Sequence, residues 1–242
     1  MSNRSIGLLS PFGRHDNRRP WTQMRKLRIL CLHGYRGSAK ALQRQMRPLT
    51  QGLEQLAEFV CVDAPSLATG DFGWWHAVSS DVDDPEHPAM RYKGWPETKT
   101  WLISLFQQSP PFDGVFGFSQ GAALTSLLVG LRNHGEAEDR ISFDFAVMVS
   151  GFVSNDGSHA NLYRREPEYG LPSAHIIGES DVIVPSSSSD RLASVFKTPL
   201  FLRHSGGHII PGNPQVRSGF IAFLQERARE AGLADRNPGR AI

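Results

Sequence analysis

Cysteine is scarce in this sequence, where Cys31 and Cys61 are the two instances in 242 residues. Two cysteines are too few to staple a disulfide-rich fold, and their separation does not match a C-x-x-C metal or redox motif. Each lies in a short apolar run that is typical of a buried strand, so we expect free thiols and a cytoplasmic protein. We accordingly predict no metal site and no cofactor.

Long apolar runs and a large net charge are also lacking. No run approaches the about 20 apolar residues that a membrane-spanning helix requires, so the sequence predicts no membrane span. The net charge of +2, with a pI near 8.7, is too balanced to indicate a nucleic-acid partner. Part of the positive excess falls in residues 1–26, which we interpret as a basic, disordered leader. A mitochondrial-type presequence is the alternative interpretation.

Short apolar runs alternate with helical periodicities along the rest of the chain. A strand at 27–32, a helix after Ser38 and a strand at 59–62 follow one another, which is the order that builds a parallel sheet. The pattern predicts an α/β fold with a mainly parallel sheet and helices on both faces, in one domain over 27–230 with a tail over 231–242.

Further strands are predicted at 113–118, 145–149, 174–177 and 200–202, and further helices from Pro96, over 122–131, after the serine run 186–189 and over 216–229. In the first helix the apolar residues on one face extend to Leu53, and Pro48 is expected to break or kink that helix near its middle.

Residues 66–95 interrupt the alternation, and we interpret them as a variable, lid-like segment. Glycines, prolines and an acidic run make residues 66–94 a predicted long loop, and long loops in compact domains often carry function. The segment also holds large aromatic side chains that need apolar surroundings. They are predicted either to wall a substrate pocket or to pack the loop onto the domain, and both can hold: Trp74, Trp75, Tyr92 and Trp95.

Ser119 lies between a predicted strand and a predicted helix, in the stretch Phe116–Gly121. This G-x-S-x-G pattern is typical of a nucleophile elbow, in which small flanking residues leave room for a strained serine. The pattern predicts that Ser119 is a nucleophile. Backbone N–H groups at the start of the following helix can stabilise an oxyanion, so the N–H of Gln120 is the first candidate and that of Tyr35 the second.

A serine nucleophile needs a base, and in this type of fold an acid and then a histidine follow the serine along the chain. His208, in a glycine loop after the last predicted strand, is the predicted base, with His204 as its competitor. His175 is interpreted as a core residue and His33 as a loop-shaping residue.

The acid is expected in a turn after a strand that lies between the serine and the histidine. Asp181 fits this position, where it would hold the imidazole tautomer. Glu179 is nearer the strand, and Asp190 is the other alternative, although its serine-rich context predicts that it serves a helix N-terminus.

These segments together resemble the FSH-type serine hydrolases of the α/β-hydrolase superfamily over residues 27–226. The segments that carry the resemblance are 30–35, 63–65, 74–75, 92–95, 111–121, 149–152, 178–181 and 204–208. The resemblance implies an α/β-hydrolase fold and a serine ester hydrolase, with Ser119, Asp181 and His208 as the triad. In relatives the substrates are long-chain alkyl esters or acyl thioesters, and the departures at 66–94 leave the choice of substrate open.

We therefore expect a hydrolase that cleaves carboxylic esters with an apolar acyl or alkyl chain through an acyl-Ser119 intermediate. One alternative is an acyl-thioesterase in a biosynthetic pathway, which would use the same triad. The other is a non-catalytic binding protein on the same fold. In the first two cases the partner is a small-molecule ester or thioester.

Overall fold

Six short apolar segments form a parallel sheet in the computed structural model, which describes residues 25–65, 73–79, 90–134, 141–163 and 168–233. Within these residues the strand order is β2-β1-β5-β6-β7-β8. The strands are β1 (Leu27–Leu32), β2 (Ala57–Val62), β5 (Gly114–Phe118), β6 (Phe145–Val149), β7 (Ser173–Gly178) and β8 (Pro199–His204). The central strands β5 and β6 are buried at every position, as expected for parallel strands that helices cover on both faces.

Helices cover both faces of the sheet, so the predicted α/β-hydrolase fold class is confirmed. Side chains of α2 (Trp95–Gln108) and α3 (Gln120–His134) join a buried core on one face. Side chains of α1 (Ala39–Thr50) and α5 (Pro214–Glu230) join a second core on the other. A short helix, α4 (Ser186–Ala193), and a 3-10 turn over Gly157–Tyr163 follow strand ends. Among the described residues, none of the helices combines the length and the apolar character that crossing a bilayer demands.

Two sequence predictions about helix boundaries were wrong. Ser38 caps α1 by accepting a hydrogen bond from the N–H of Ala41, but α1 ends at Thr50, so Pro48 lies in its last turn rather than near its middle. Leu53 lies beyond the helix, where the apolar periodicity continues without helical backbone. The serine run was predicted to precede the next helix, whereas α4 begins at Ser186 and contains the run.

Residues 66–94 are not a loop throughout. An antiparallel hairpin forms from β3 (His76–Ser79) and β4 (Met90–Lys93), in which Ala77 lies opposite Tyr92. The prediction of a continuous loop was therefore wrong for these strands, which are too short to show a clear alternation in sequence. The rest of the predicted lid-like segment, at 66–72 and 80–89, lies outside the described residues, as do most of the predicted leader, at 1–24, and most of the tail, at 234–242.

Candidate active site

Ser119 occupies a tight turn between β5 and α3. Its backbone has a φ of 55°, in the left-handed region that costs a non-glycine residue energy. The turn is held by a hydrogen bond of 2.9 Å from the Ser119 N–H to the carbonyl of Val149. A Cβ atom on Gly121 would overlap the carbonyl oxygen of Leu32, and one on Gly117 would overlap the carbonyl of Gly121. Both positions therefore need glycine for the turn to pack against β1 and α3.

We expect Gly121→Ala to lower the free energy of unfolding by at least about 2 kcal/mol, because the added methyl group meets backbone that cannot move independently. Urea denaturation measures this change. Gly157→Ala is the matched control, since a Cβ there would meet nothing within 4 Å. Equal stability of the two variants would contradict the proposed packing of the turn.

The side chains of Ser119, His208 and Asp181 form one line of hydrogen bonds. The Oγ atom of Ser119 lies 2.9 Å from Nε2 of His208, and Nδ1 of His208 lies 2.7 Å from Oδ2 of Asp181. Because the carboxylate accepts, Nδ1 carries the ring proton, which leaves Nε2 free to accept the hydroxyl proton of Ser119. The structure thus brings together the three side chains predicted to be the triad, although they are far apart in sequence.

The carboxylate of Asp181 is held from both sides. Its Oδ1 atom accepts hydrogen bonds of 2.9 Å from the N–H groups of Ile183 and Val184, while Oδ2 faces His208. Burial on its own raises the pKa of this carboxyl, but hydrogen bonds, of which those from Val184 and His208 have the largest effects, outweigh it, and the pKa lies below its ordinary value. Asp181 therefore remains ionised next to the imidazole.

The two alternative acids lie elsewhere. Asp190 is inside α4 and forms an exposed ion pair with Arg203. The prediction that Asp190 serves a helix N-terminus was wrong, because α4 starts four residues earlier. Glu179 has an exposed side chain, and its backbone N–H donates to the carbonyl of His204.

The other candidate histidines take structural positions. His204 is buried, and its Nδ1 accepts a hydrogen bond of 3.2 Å from the N–H of Gly206. His33 accepts at Nε2 from the N–H of Ala64, so its Nδ1 donates to the carbonyl of Gly34, which shapes the loop as predicted. His175 is a core residue as predicted, and burial lowers its pKa to about 3.

The backbone N–H groups of Tyr35 and Gln120 remain the predicted oxyanion donors. Gln120 is the first residue of α3, where backbone N–H groups have no acceptor within the helix. Tyr35 follows Gly34, whose Cα lies so close to Ser119 that an added Cβ would be 3.3 Å from Cβ of that serine. Tyr35, Gln120 and Ser119 all line one cavity.

This cavity has a volume of about 550 Å³, and apolar groups form slightly more than half of its wall. Of the four predicted aromatic residues, Trp75 and Tyr92 line it, and their rings stack with centroids 4.6 Å apart. Trp74 is fully buried instead, where its indole N–H donates to the carbonyl of His33. Trp95 does not line the described cavity and packs edge-on against Trp75. The aromatic residues therefore divide between the two predicted roles.

Sequence reasoning missed several residues of the cavity wall. All of them except Ala77, which lies within β3, follow the carboxyl end of β6 or β7, the edge at which sites form in parallel sheets. The strand ends could therefore have been used to predict these positions. Segment 149–152, which includes Phe152, was noted in the sequence but was not given a role in the site. The missed residues are Ala77, Phe152, Val153, Asn155, Ile183, Val184, Pro185, Ser188 and Arg191.

Buried polar groups fasten the hairpin wall to the domain. Asp156 accepts a hydrogen bond from the N–H of Tyr92 at 2.8 Å, and the Tyr92 hydroxyl accepts from the N–H of Asn155 at 2.9 Å. The side-chain amide of Gln120 bridges two further backbone groups, since its oxygen accepts from the N–H of Trp74 and its nitrogen donates to the carbonyl of Trp75. The aromatic wall is therefore attached both to the residues that directly precede the 3-10 turn and to the first residue of α3.

A parallel sheet flanked by helices, with a strained serine at a strand end beside a histidine and a carboxylate, defines the α/β-hydrolase class. Solved structures have the same fold. Maize acyl-protein thioesterase 2 gives a TM-score of 0.62 at 20% identity, over 86% of this chain and 96% of that one. The Bacillus cereus carboxylesterase gives 0.54 at 16% identity, over 83% of this chain and 88% of that one.

Within this class, the chain belongs to the family Serine hydrolase (FSH1), whose sequence profile matches residues 22–219. The sequence resemblance had pointed to the branch of the ovarian cancer-associated gene 2 protein, and this prediction is confirmed. Human esterase OVCA2 is 33% identical over 225 residues, or 84% of this chain and 98% of that protein. Its Xenopus tropicalis counterpart is 32% identical over 221 residues, or 84% of this chain and 94% of that protein. Esterase CG5412 of Drosophila melanogaster is 34% identical over 215 residues, or 85% of this chain and 76% of that protein.

Proposed function

We propose that this protein is a serine esterase that cleaves carboxylic esters with an apolar acyl or alkyl chain. The observation that carries the proposal is the hydrogen-bonded line from Ser119 through His208 to Asp181, whose serine borders a cavity of about 550 Å³ with the aromatic rings of Trp75 and Tyr92 in its wall. A volume of this size is within the usual range for small-molecule sites, about 300–1,000 Å³. The esterase names of the relatives support the same reaction.

The reaction begins when Nε2 of His208 takes the hydroxyl proton of Ser119 and Oγ attacks the ester carbonyl. The negative charge that develops on the carbonyl oxygen is stabilised by the N–H groups of Tyr35 and Gln120. His208 then gives its proton to the departing alcohol, which leaves an acyl-Ser119 intermediate. Water, activated by the same imidazole, hydrolyses this intermediate, and Asp181 stabilises the imidazolium in both halves.

The apolar wall is proposed to select the chain of the substrate. Each methylene group that reaches Trp75 and Tyr92 contributes up to about 0.8 kcal/mol, or roughly fourfold in kcat/KM, until the cavity is full. We therefore expect kcat/KM to rise with chain length over short esters and then to level off. Rates for a series of p-nitrophenyl esters measure this profile.

Trp75→Ala is expected to flatten that rise while leaving the hydrolysis of acetyl esters nearly unchanged, because the short acyl group does not reach the indole. Trp101→Ala is the matched control, since Trp101 packs against Trp74 and does not line the described cavity. The control should lower the melting temperature and keep the profile. A chain-length profile that Trp75→Ala leaves unaltered would remove the hairpin from substrate selection.

A thioester substrate is the second candidate, because a thioester carbonyl can be attacked by the same serine and stabilised by the same N–H groups. Paired acyl esters and acyl thioesters of equal chain length, assayed side by side, decide between the two.

We also infer that the protein acts in the cytoplasm, which the free thiols of Cys31 and Cys61 support.

A further inference from the structure

Large apolar side chains are exposed around the proposed catalytic groups. Among the described residues, six large apolar side chains are strongly exposed, and four of them lie in the segments that carry the catalytic groups or the oxyanion donors. We call these four the apolar rim. Its members, with their exposed fractions, are Tyr35 at 46%, Val182 at 90%, Ile183 at 67% and Ile209 at 52%.

The exposure of two members of the rim, Val182 and Ile183, is imposed by the turn that contains Asp181. Both N–H groups that bind Oδ1 of Asp181 come from the residues that follow it, Ile183 and Val184, so the backbone turns back on the carboxylate. Val184 points inward and is 6% exposed, whereas Val182 projects into solvent. Because the hydrogen bonds to Asp181 fix this turn, the side chains of Val182 and Ile183 cannot turn inward unless those hydrogen bonds break.

The position of the rim restricts what can cover it. Tyr35 and Ile183 also line the cavity that contains Ser119, so the rim borders the cavity mouth. A partner seated on it must leave the mouth open to an ester chain, and a lipid surface does so because its own chains can enter the cavity. A rigid protein surface seated on the same side chains would close the mouth.

Charge near the rim favours an anionic surface. Arg191 is exposed after Ile183, lines the cavity and forms no ion pair within the part of the chain that the structure describes. Among the described residues that follow β7, Glu179 is an exposed acid, while the carboxylate of Asp190 is engaged by Arg203. An exposed arginine beside aliphatic side chains matches lipid headgroups that lie above acyl chains.

We propose that the apolar rim docks on an anionic phospholipid surface and that apolar-chain esters enter the cavity from that surface. The second part rests on the proposed esterase function, whereas the docking itself does not. Docking would place the mouth of the cavity against the source of its substrate. It would also remove from water the aliphatic side chains that the acid turn leaves exposed.

Vesicle sedimentation of the Ser119→Ala protein tests the docking without any hydrolysis of lipid. We expect this protein to sediment with vesicles of phosphatidylcholine and phosphatidylserine, and more weakly with phosphatidylcholine alone. Adding Val182→Ser and Ile209→Ser should reduce the partition by about tenfold, because two aliphatic groups no longer leave water. Phe201→Ser is the matched control, since Phe201 is 43% exposed on β8 and does not belong to the rim.

Val182→Trp provides a second measurement that does not depend on a loss of binding. Val182 is 90% exposed, so an indole fits there without a clash, and its emission should shift to the blue when vesicles are added. Absence of vesicle binding, an equal loss for Phe201→Ser, or no emission shift would each overturn the proposal. Binding to a soluble acylated peptide in place of vesicles would also overturn it, in favour of a protein partner.

The failure of docking is distinguishable from the failure of the esterase proposal. Covalent labelling of the native protein by a fluorophosphonate probe tests the hydrolase in solution and needs no surface. Val182→Ser alone should keep the native rate on a short, dissolved ester and lose rate on the same chromophore carried by a long chain in vesicles. An equal rate loss on both substrates would contradict a docking role for Val182.

Discussion

Ser119→Ala is expected to abolish covalent labelling by a fluorophosphonate probe and to lower ester hydrolysis by about four to six orders of magnitude. The substitution removes the Oγ atom that lies 2.9 Å from Nε2 of His208, and with it the bond to the acyl group. Oxyanion donors and cavity walls remain, so substrate binding should persist while turnover is lost. Labelling and kcat, measured on the same preparation, give both quantities.

Ser188→Ala is the matched control for this experiment. Ser188 lines the same cavity, but it is Ser119 whose hydroxyl lies within hydrogen-bond distance of His208. The control variant should keep full labelling and a rate within a few fold of the native protein. If Ser119→Ala were still labelled, or if Ser188→Ala were the inactive variant, the assignment of the nucleophile would be wrong.

Asp181→Asn is expected to lower kcat by about four orders of magnitude while leaving the fold intact. The N–H groups of Ile183 and Val184 require an oxygen at the Oδ1 position, so the amide oxygen of asparagine should lie there. The amide nitrogen then faces Nδ1 of His208, which must accept rather than donate. That places the ring proton on Nε2, where it blocks proton transfer from Ser119.

Asp190→Asn tests the alternative acid. Its ion pair with Arg203 is solvent-exposed, with about two-fifths of each side chain accessible, so its loss should cost at most about 1 kcal/mol of stability. The rate of ester hydrolysis should not change. Thermal denaturation and kcat of both aspartate variants separate the two residues, and an inactive Asp190→Asn beside an active Asp181→Asn would reverse the assignment.

Much of the sheet could be predicted because its strands are buried on both faces and are therefore apolar throughout. Strands β5 and β6 have no polar residue to interrupt the run, so their positions follow directly from hydrophobicity. The turn at Ser119 was also predictable from the glycines that flank it. The carbonyl of Gly121 approaches Gly117 closely, and the carbonyl of Leu32 approaches Gly121 closely, so neither position has room for a side chain. For these strands and this turn, a local property of the sequence is sufficient to predict the structure.

The roles of the aromatic residues could not be predicted, because they depend on tertiary contacts. Trp74 and Trp75 are adjacent in sequence, yet one is a core residue with its N–H bound to His33 and the other lines the cavity. Tyr92 lies in the hairpin that Trp75 directly precedes, and the strands of this hairpin have only four residues each. In the same way, the serine run and Asp190 have the composition of a cap, but the helix begins at the first serine of the run and contains them all.

The amide of Gln120 has a consequence for attempts to change the substrate range. One residue offers its backbone N–H to the proposed oxyanion site and uses its side chain to hold the backbone of Trp74 and Trp75. A substitution that moves the aromatic wall is therefore expected to shift the first turn of α3 and the proposed oxyanion donor beside Ser119. A change in chain-length preference is therefore expected to change kcat as well. Variants selected for a longer substrate should have a lower kcat unless the hydrogen bonds of the Gln120 side chain are preserved.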